Sequence, residues 1–371
     1  VSEIDRTTRL AAELPALGVD RLLVSMPVNV RYLTGYTGSN GLAVIAAARE
    51  GGEAPGHIFF TDFRYATQSA EQVPDLFERE IASADLYEAA TRALGDGGID
   101  GQSRVGFDDA SLTVKQHAHL RELLAPGWTL VACAGAVERL REVKDEREIE
   151  RVRAATQLAD EALTEVLEAG LAGRTERQVA IELELRMRRL GAQAPSFPSI
   201  VASAEHGALP HAEPRDVEIA RGVLVTIDWG AYLEGYCSDC TRTYATGPPG
   251  EEATEVYELV LRAQESALAA VQAGIGGREV DLLARSIIEE AGHAEHFGHG
   301  LGHGVGMEIH EAPRLSRTAP EEPLRAGNVV TVEPGVYVPG RVGVRIEDLA
   351  VVGDRGHERL TRLSKELTLV D

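Results

Sequence analysis

The chain has 371 residues, 44% of them hydrophobic, a formal net charge of −22 and three cysteines. That length corresponds to about two domains, each able to bury a substantial core. So acidic a surface repels nucleic-acid backbones and anionic membrane surfaces, no run approaches the ~18 apolar residues of a spanning helix, and three cysteines cannot close a disulfide framework. The opening residues, VSEIDRTTRL, lack the apolar core of a secretory signal, so the expected location is cytoplasmic, with neither nucleic acid nor membrane as partner.

Residues 1–137 alternate strand-like and helix-like segments. Strands are expected at 21–25, 41–46, 57–61, 104–107 and 129–133, and helices at 7–17, 86–94 and 113–124. The glycine-rich stretch 95–101 reads as a surface loop. No cluster of ligand-type side chains occurs here, which fits a supporting or recognition role.

Residues 138–371 form the second expected domain. Asp145 is a candidate N-cap whose capping box is closed by Glu148, and Ile149, Val152, Ala159, Leu163 and Val166 continue as an apolar stripe that Gly170 ends. Thr175 and Gln178 cap the next helix, with Ala180, Leu183, Met187 and Leu190 on its buried face. Further helices are expected at about 251–273 and 279–291. Strands follow these helices instead of alternating with them, so the expected class is α+β, helices packed on a curved antiparallel sheet.

Two segments read as strand, turn and return strand. In VLVTIDWGAYLEGYCSDCTRTY (223–244), a turn over 232–235 sets Asp228 opposite Asp239. In the segment from Val329 to Leu349, a turn about Gly340 sets Glu333 opposite Glu347. Facing residues of an antiparallel pair have Cβ atoms ~4.5–5.5 Å apart, so each hairpin presents a close carboxylate pair. Carboxylates so close in apolar strands call for a cation. Cys237 and Cys240 form a CxxC, but they flank Asp239 within a strand and no second CxxC exists, so structural cysteines are the better reading.

Imidazoles come from GHAEHFGHGLGHGVGMEIHE (292–311): His293, His296, His299, His303 and His310. His299 and His303 have i, i+4 spacing, yet the glycines oppose a helix and no HExxH is present. Periodicity alone does not separate the metal-binding histidine from its neighbours.

The motifs TIDWGAYLEGYCSDCTRTY, GHGLGHGVGMEIHE, TVEPGVY and GVRIED, in this order, resemble those of the pita-bread metallopeptidases, which include prolidase, aminopeptidase P and methionine aminopeptidase. The earlier NVRYLTGYTGSNG and FTDFRY resemble the creatinase/prolidase-type leading domain, which methionine aminopeptidases lack. The resemblance implies a catalytic pita-bread domain with two divalent metal ions held by Asp228, Asp239, His303, Glu333 and Glu347, Asp239 and Glu347 bridging. It implies hydrolysis before proline through a metal-bridging hydroxide, with Glu333 as proton shuttle. His211 in ALPHAEP, His299, His310, Tyr337 and Arg345 match substrate-side positions, and His211, His310 and Arg345 also match catalytic ones. His117, His206, His293 and His296 match nothing and read as surface or packing residues.

An oxygen-rich ligand set favours Mn²⁺ or Co²⁺, with Zn²⁺ or Fe²⁺ as alternatives. A small peptide is the expected substrate and a homodimer the expected assembly. Within the family, an Xaa-Pro dipeptidase is preferred, with an Xaa-Pro aminopeptidase on longer peptides as the alternative. A non-catalytic binding protein on the same fold is disfavoured by the complete ligand set, and so is a metal-free amidinohydrolase of the creatinase type.

Overall fold

Helix caps are the most local feature of the chain, and they form as their sequences demand. In the computed structural model, which describes residues 2–48, 56–95 and 103–370, Asp145 accepts from the backbone N–H groups of Arg147 and Glu148, while Glu148 accepts from the N–H of Asp145. Thr175 and Gln178 form the same reciprocal pair. These caps open helices Glu146–Glu168 and Glu176–Leu190; Glu251–Ala270 and Gly277–Glu290 form a second pair. Among the described residues, no helix is long and apolar enough to cross a membrane.

The chain divides into compact units at 1–141 and 142–371. The division falls four residues beyond the expected 137/138, because helix Glu138–Glu142 is bonded into the first unit. Asn29 donates to Glu138 and accepts from Arg141, and the Tyr32 hydroxyl donates to the Leu140 carbonyl.

The first unit is a six-stranded sheet of β1 (Arg21–Val24), β2 (Leu42–Ala46), β3 (His57–Asp62), β4 (Phe77–Ala82), β5 (Ser103–Phe107) and β6 (Trp128–Ala132), in order β4-β3-β2-β1-β5-β6. All five expected strands are present. β4 is the addition: FEREIA buries only its first and last residues, so this charged edge strand has no apolar signature. Helix Pro27–Thr34 also escaped the sequence reading, since its β-branched residues disguise it. The expected loop at 95–101 lies outside the described residues beyond Gly95.

In the second unit every pairing between strands is antiparallel. Its strands are β7 (Ala194–Pro195), β8 (Ile200–Ser203), β9 (Leu224–Trp229), β10 (Ala231–Leu233), β11 (Tyr236–Cys237), β12 (Cys240–Ala245), β13 (Gly302–Gly304), β14 (Glu311–Leu315), β15 (Val329–Val332), β16 (Gly335–Val338), β17 (Val342–Arg345), β18 (Asp348–Val352) and β19 (His357–Arg359). They make ladders β12-β9-β8, β11-β10-β7, β14-β13-β15-β18-β19 and β16-β17.

Side-chain alternation gives these ladders two functions. Val225, Ile227 and Trp229 of β9 join the core of the first helix pair, leaving Thr226 and Asp228 for the opposite face. Val330 and Val332, then Val342, Val344 and Ile346, join the core of the second pair, leaving Thr331, Glu333, Arg345 and Glu347 for that face. Each fully buried aliphatic side chain is worth about 1.5–3 kcal/mol, so the helix packing holds the polar face in register.

The Glu333/Glu347 register is as expected: Val332 pairs with Asp348 and Gly335 with Arg345, which sets Glu333 level with Glu347. The other register needs correction. Asp228 pairs with Thr241, not Asp239. The turn is a two-residue loop, Glu234–Gly235, with φ of 49° and 91°, as a type I′ hairpin requires. Moving the turn centre by one residue shifts the partner by two. Asp239 therefore stays on Asp228's face, as its diagonal neighbour. Because Glu234 holds a left-handed conformation that asparagine adopts more readily than glutamate, Glu234→Asn is expected to stabilise the second unit by about 1 kcal/mol, read as a higher urea midpoint; an unchanged or lower midpoint would count against this turn.

Candidate metal and active site

Asp228 ends β9, Asp239 precedes β12, and Glu333 and Glu347 sit where the β15/β18 ladder gives way to β16/β17. One carboxylate oxygen from each of Asp228, Asp239 and Glu347 lies within 4.8 Å of the others. His303 arrives on β13, between β14 and β15. Glycine is obligatory on either side of it: a Cβ at 302 would stand 2.0 Å from the Thr331 carbonyl oxygen, and one at 304, 2.1 Å from that of Ala312. These close approaches let Gly302–Gly304 run as a strand between its two neighbours.

The His303 tautomer follows from its partners. Nδ1 lies 3.0 Å from the Gly304 carbonyl, which can only accept, so Nδ1 carries the proton. Nε2 then faces two carboxylates, 3.3 Å from Glu333 Oε1 and 3.6 Å from Asp239 Oδ2. A lone pair aimed at anionic oxygens is repelled unless a proton or a metal ion stands between them. With a proton there, the His303 hydrogen bond and charge overcome the effect of burial and bring the Glu333 carboxyl down to about 2.

The other three carboxylates behave in the opposite sense. Burial, then repulsion from Glu347, Asp228 and Glu333, pushes Asp239 well above the usual range. Glu347 is raised by burial and by Glu333 and Asp228. Asp228 is raised by burial and held back by Arg345. Asp228 Oδ1 and Glu347 Oε1 are buried with no hydrogen-bond partner among the described residues. Orphaned, mutually repelling oxygens beside an imidazole lone pair are a donor set suited to divalent cations.

Arg345 orders the surroundings. Its guanidinium donates to Asp228 Oδ2 (2.6 Å), the Thr241 hydroxyl (3.0 Å), the Tyr337 hydroxyl (2.9 Å) and the Pro210 carbonyl (3.2 Å). Thr241 in turn donates to Glu347 Oε2 at 2.8 Å. Tyr337 donates to His299 Nε2 at 3.0 Å, because His299 Nδ1 donates to the Gly300 carbonyl. Thr241 was not singled out from sequence, although its place opposite Asp228 becomes evident once the turn is set correctly.

A cavity of about 490 Å³ opens over this cluster. Asp228, Asp239, His303, Glu333, Glu347 and Arg345 lie at it together with His211, His299 and His310. Tyr337 does not line it and acts from behind, through Arg345 and His299. His310 packs edge-on to His303, ring centroids 4.4 Å apart, and burial followed by the charges of His303 and Arg314 lowers its pKa. Phe197, Ile200 and Ile309 supply apolar wall. Arg314, level with His303 on β14, adds a cation that the sequence reading passed over; its register beside β13 is the only signal, and that is a tertiary one. Of the unassigned histidines, His206 is buried against Glu176, His117 packs on Phe107, and His293 and His296 contact each other. Cys133, Cys237 and Cys240 are buried thiols that form no disulfide.

A carboxylate–imidazole cluster on a cavity floor marks this as a metal-dependent enzyme site. Residues 150–354 match the model of metallopeptidase family M24, and residues 6–143 match the Creatinase/Prolidase N-terminal domain. The chain is 36% identical to the Xaa-Pro dipeptidase of Pyrococcus furiosus, over 98% of this chain and 99% of that protein. The solved structure of an Xaa-Pro dipeptidase from Bacillus anthracis matches with a TM-score of 0.91 at 36% identity, covering 99% of this chain and 100% of that one. That of an X-Pro aminopeptidase from Thermotoga maritima matches at 0.87 and 33%, covering 99% and 100%. The chain belongs to metallopeptidase family M24, with a creatinase/prolidase-type domain leading a pita-bread domain.

Proposed function

We propose that this metallopeptidase hydrolyses the peptide bond before proline in Xaa-Pro dipeptides, using two divalent ions held by Asp228, Asp239, His303, Glu333 and Glu347. The observation that carries the reading is the convergence of Asp228, Asp239 and Glu347 within 4.8 Å under the cavity. Bound there, such ions supply polarisation of the scissile carbonyl and a nucleophile generated from water at neutral pH. Mn²⁺ or Co²⁺ suits the oxygen-rich donors.

The chain's own residues do the rest. Glu333, a carboxylate on the cavity floor, accepts a proton from the attacking water and returns it to the leaving nitrogen. His211 and His310, both at the cavity, are placed to stabilise negative charge on the tetrahedral intermediate. Arg345 holds Asp228 in place, and His299 holds Tyr337. Phe197, Ile200 and Ile309 offer apolar surface to a pyrrolidine ring. A dipeptide presents its C-terminal carboxylate at a fixed distance from the scissile bond. Arg314, which has no carboxylate partner among the described residues, is suited to receive it. A cytoplasmic homodimer is the assembly that fits this reading.

The dipeptidase reading predicts that, under Mn²⁺, an Xaa-Pro dipeptide is turned over at least about 100-fold faster than the matching Xaa-Pro-Yaa, and that Arg314→Met raises KM for the dipeptide about 10–100-fold. Comparable turnover of both peptides would establish the aminopeptidase alternative.

A further inference from the structure

Glu176 is fully buried at the first position of helix Glu176–Leu190. An acidic residue in a first helical turn is commonplace, but such residues usually face water. This one receives six hydrogen bonds. Oε1 accepts from the Ser203 backbone N–H (2.8 Å), the Ser203 hydroxyl (2.8 Å) and Arg215 Nη2 (3.1 Å). Oε2 accepts from His206 Nδ1 (2.9 Å), the Arg215 backbone N–H (3.1 Å) and Arg215 Nε (3.0 Å). Burial alone would raise this carboxyl; Arg215 and Ser203 instead bring it down to about 2.

All six donors come from the two ends of one segment, residues 203–215. Between those ends lie Pro210, His211, Ala212, Glu213 and Pro214, which form one wall of the cavity. The middle of the segment is tied to the active face by the bond from Arg345 to the Pro210 carbonyl, and Gly207 packs closely against Gly343 of β17. Glu176 therefore fixes where the segment starts and returns, and Arg345 fixes how far it reaches in.

We propose that Glu176 is a positioning residue for the reaction, clamping both ends of the 203–215 segment so that His211 is held at the cavity. The inference rests on the reading of His211 as a substrate-facing group. Glutamine at 176 keeps the shape but replaces one acceptor by an NH₂ group, which would meet donors that already point at it. A displacement of about 1 Å at a catalytic group can cost on the order of 100-fold in rate.

The test is a double-mutant cycle on the Mn²⁺-loaded enzyme, with Glu176→Gln and His211→Ala alone and combined, following kcat and KM for an Xaa-Pro dipeptide and the melting temperature. The expected result is that Glu176→Gln lowers kcat by roughly 10–100-fold with KM nearly unchanged, and changes activity less than about 3-fold when His211 is already alanine. Arg215→Met, at a half-exposed position, should show the same dependence with a smaller loss, and stands in if Glu176→Gln does not fold. Equal losses in both backgrounds, or a lower melting temperature with unchanged kcat, would overturn the proposal. If His211→Ala is itself silent, the reading of His211 is wrong and the clamp has no catalytic consequence. If His211→Ala is severe while Glu176→Gln and Arg215→Met are silent, His211 stands and the clamp alone fails.

Discussion

Exhaustive chelation is expected to abolish cleavage of an Xaa-Pro dipeptide, and added Mn²⁺ or Co²⁺ to restore it. The cavity floor gathers groups that a cation would satisfy: three carboxylates converge within 4.8 Å, two of their oxygens lack partners among the described residues, and the His303 lone pair faces carboxylate oxygens of Glu333 and Asp239. Protons can neutralise the cluster, but they cannot polarise a carbonyl as a Lewis acid does. Replacing His303 with alanine should remove at least one ion per chain, counted by elemental analysis, and lower activity at least about 100-fold. Full hydrolysis by chelated protein would refute the metal-dependent reading. An unchanged metal content in His303→Ala would show that another histidine is the ligand.

A second large effect concerns stability, and its sign is the reverse of what loss of a functional residue usually suggests. Asp239 is buried beside Glu347, Asp228 and Glu333, so its folded-state pKa lies well above that of the unfolded chain. Folded, metal-free protein thus binds more protons than unfolded protein in the interval between those two values. Its stability falls as pH rises through that interval and the carboxyl is forced to ionise among like charges. Asp239→Asn removes that repulsion. At pH 8, without metal, the variant should melt roughly 2–8 °C above the wild type, corresponding to about 1–2 kcal/mol. With saturating Mn²⁺ the order should invert, because only the wild type gains the full free energy of metal binding. Activity should fall by at least about 100-fold. Melting curves with and without metal decide the matter: a metal-free variant less stable than the wild type would mean that Asp239 contributes a structural interaction absent from the geometry described above.

Legibility in the sequence followed the range of the interaction concerned. The capping boxes at Asp145 and Thr175 were readable because each involves residues three apart and a backbone that is right there. The pairing of Glu333 with Glu347 was readable because the hairpin between them is regular about Gly340. Asp228 and Asp239 were assigned to the correct face in the wrong register, since the left-handed conformation that Glu234 adopts is unusual for glutamate and disguises the turn. β4 was invisible because a charged edge strand has no apolar alternation.

By itself the sequence determined the capped helix starts at Asp145 and Thr175, the strands whose alternate residues are apolar, and the sharing of one face by the two carboxylates of each hairpin, because each depends on spacing within one or two elements; the first helix, expected at 7–17, instead runs Glu3–Glu13 from a capping box at Ser2. Only the tertiary structure distinguishes the surroundings of the neighbouring histidines. His303 has the Gly304 carbonyl to fix its tautomer and two carboxylates before its Nε2, whereas His293 and His296 face each other and His299 is taken up by Tyr337. The contacts of Thr241 and Glu176 and the place of Arg314 beside His303 likewise come from strands and segments distant in sequence, brought together only when the two helix pairs close on the sheet.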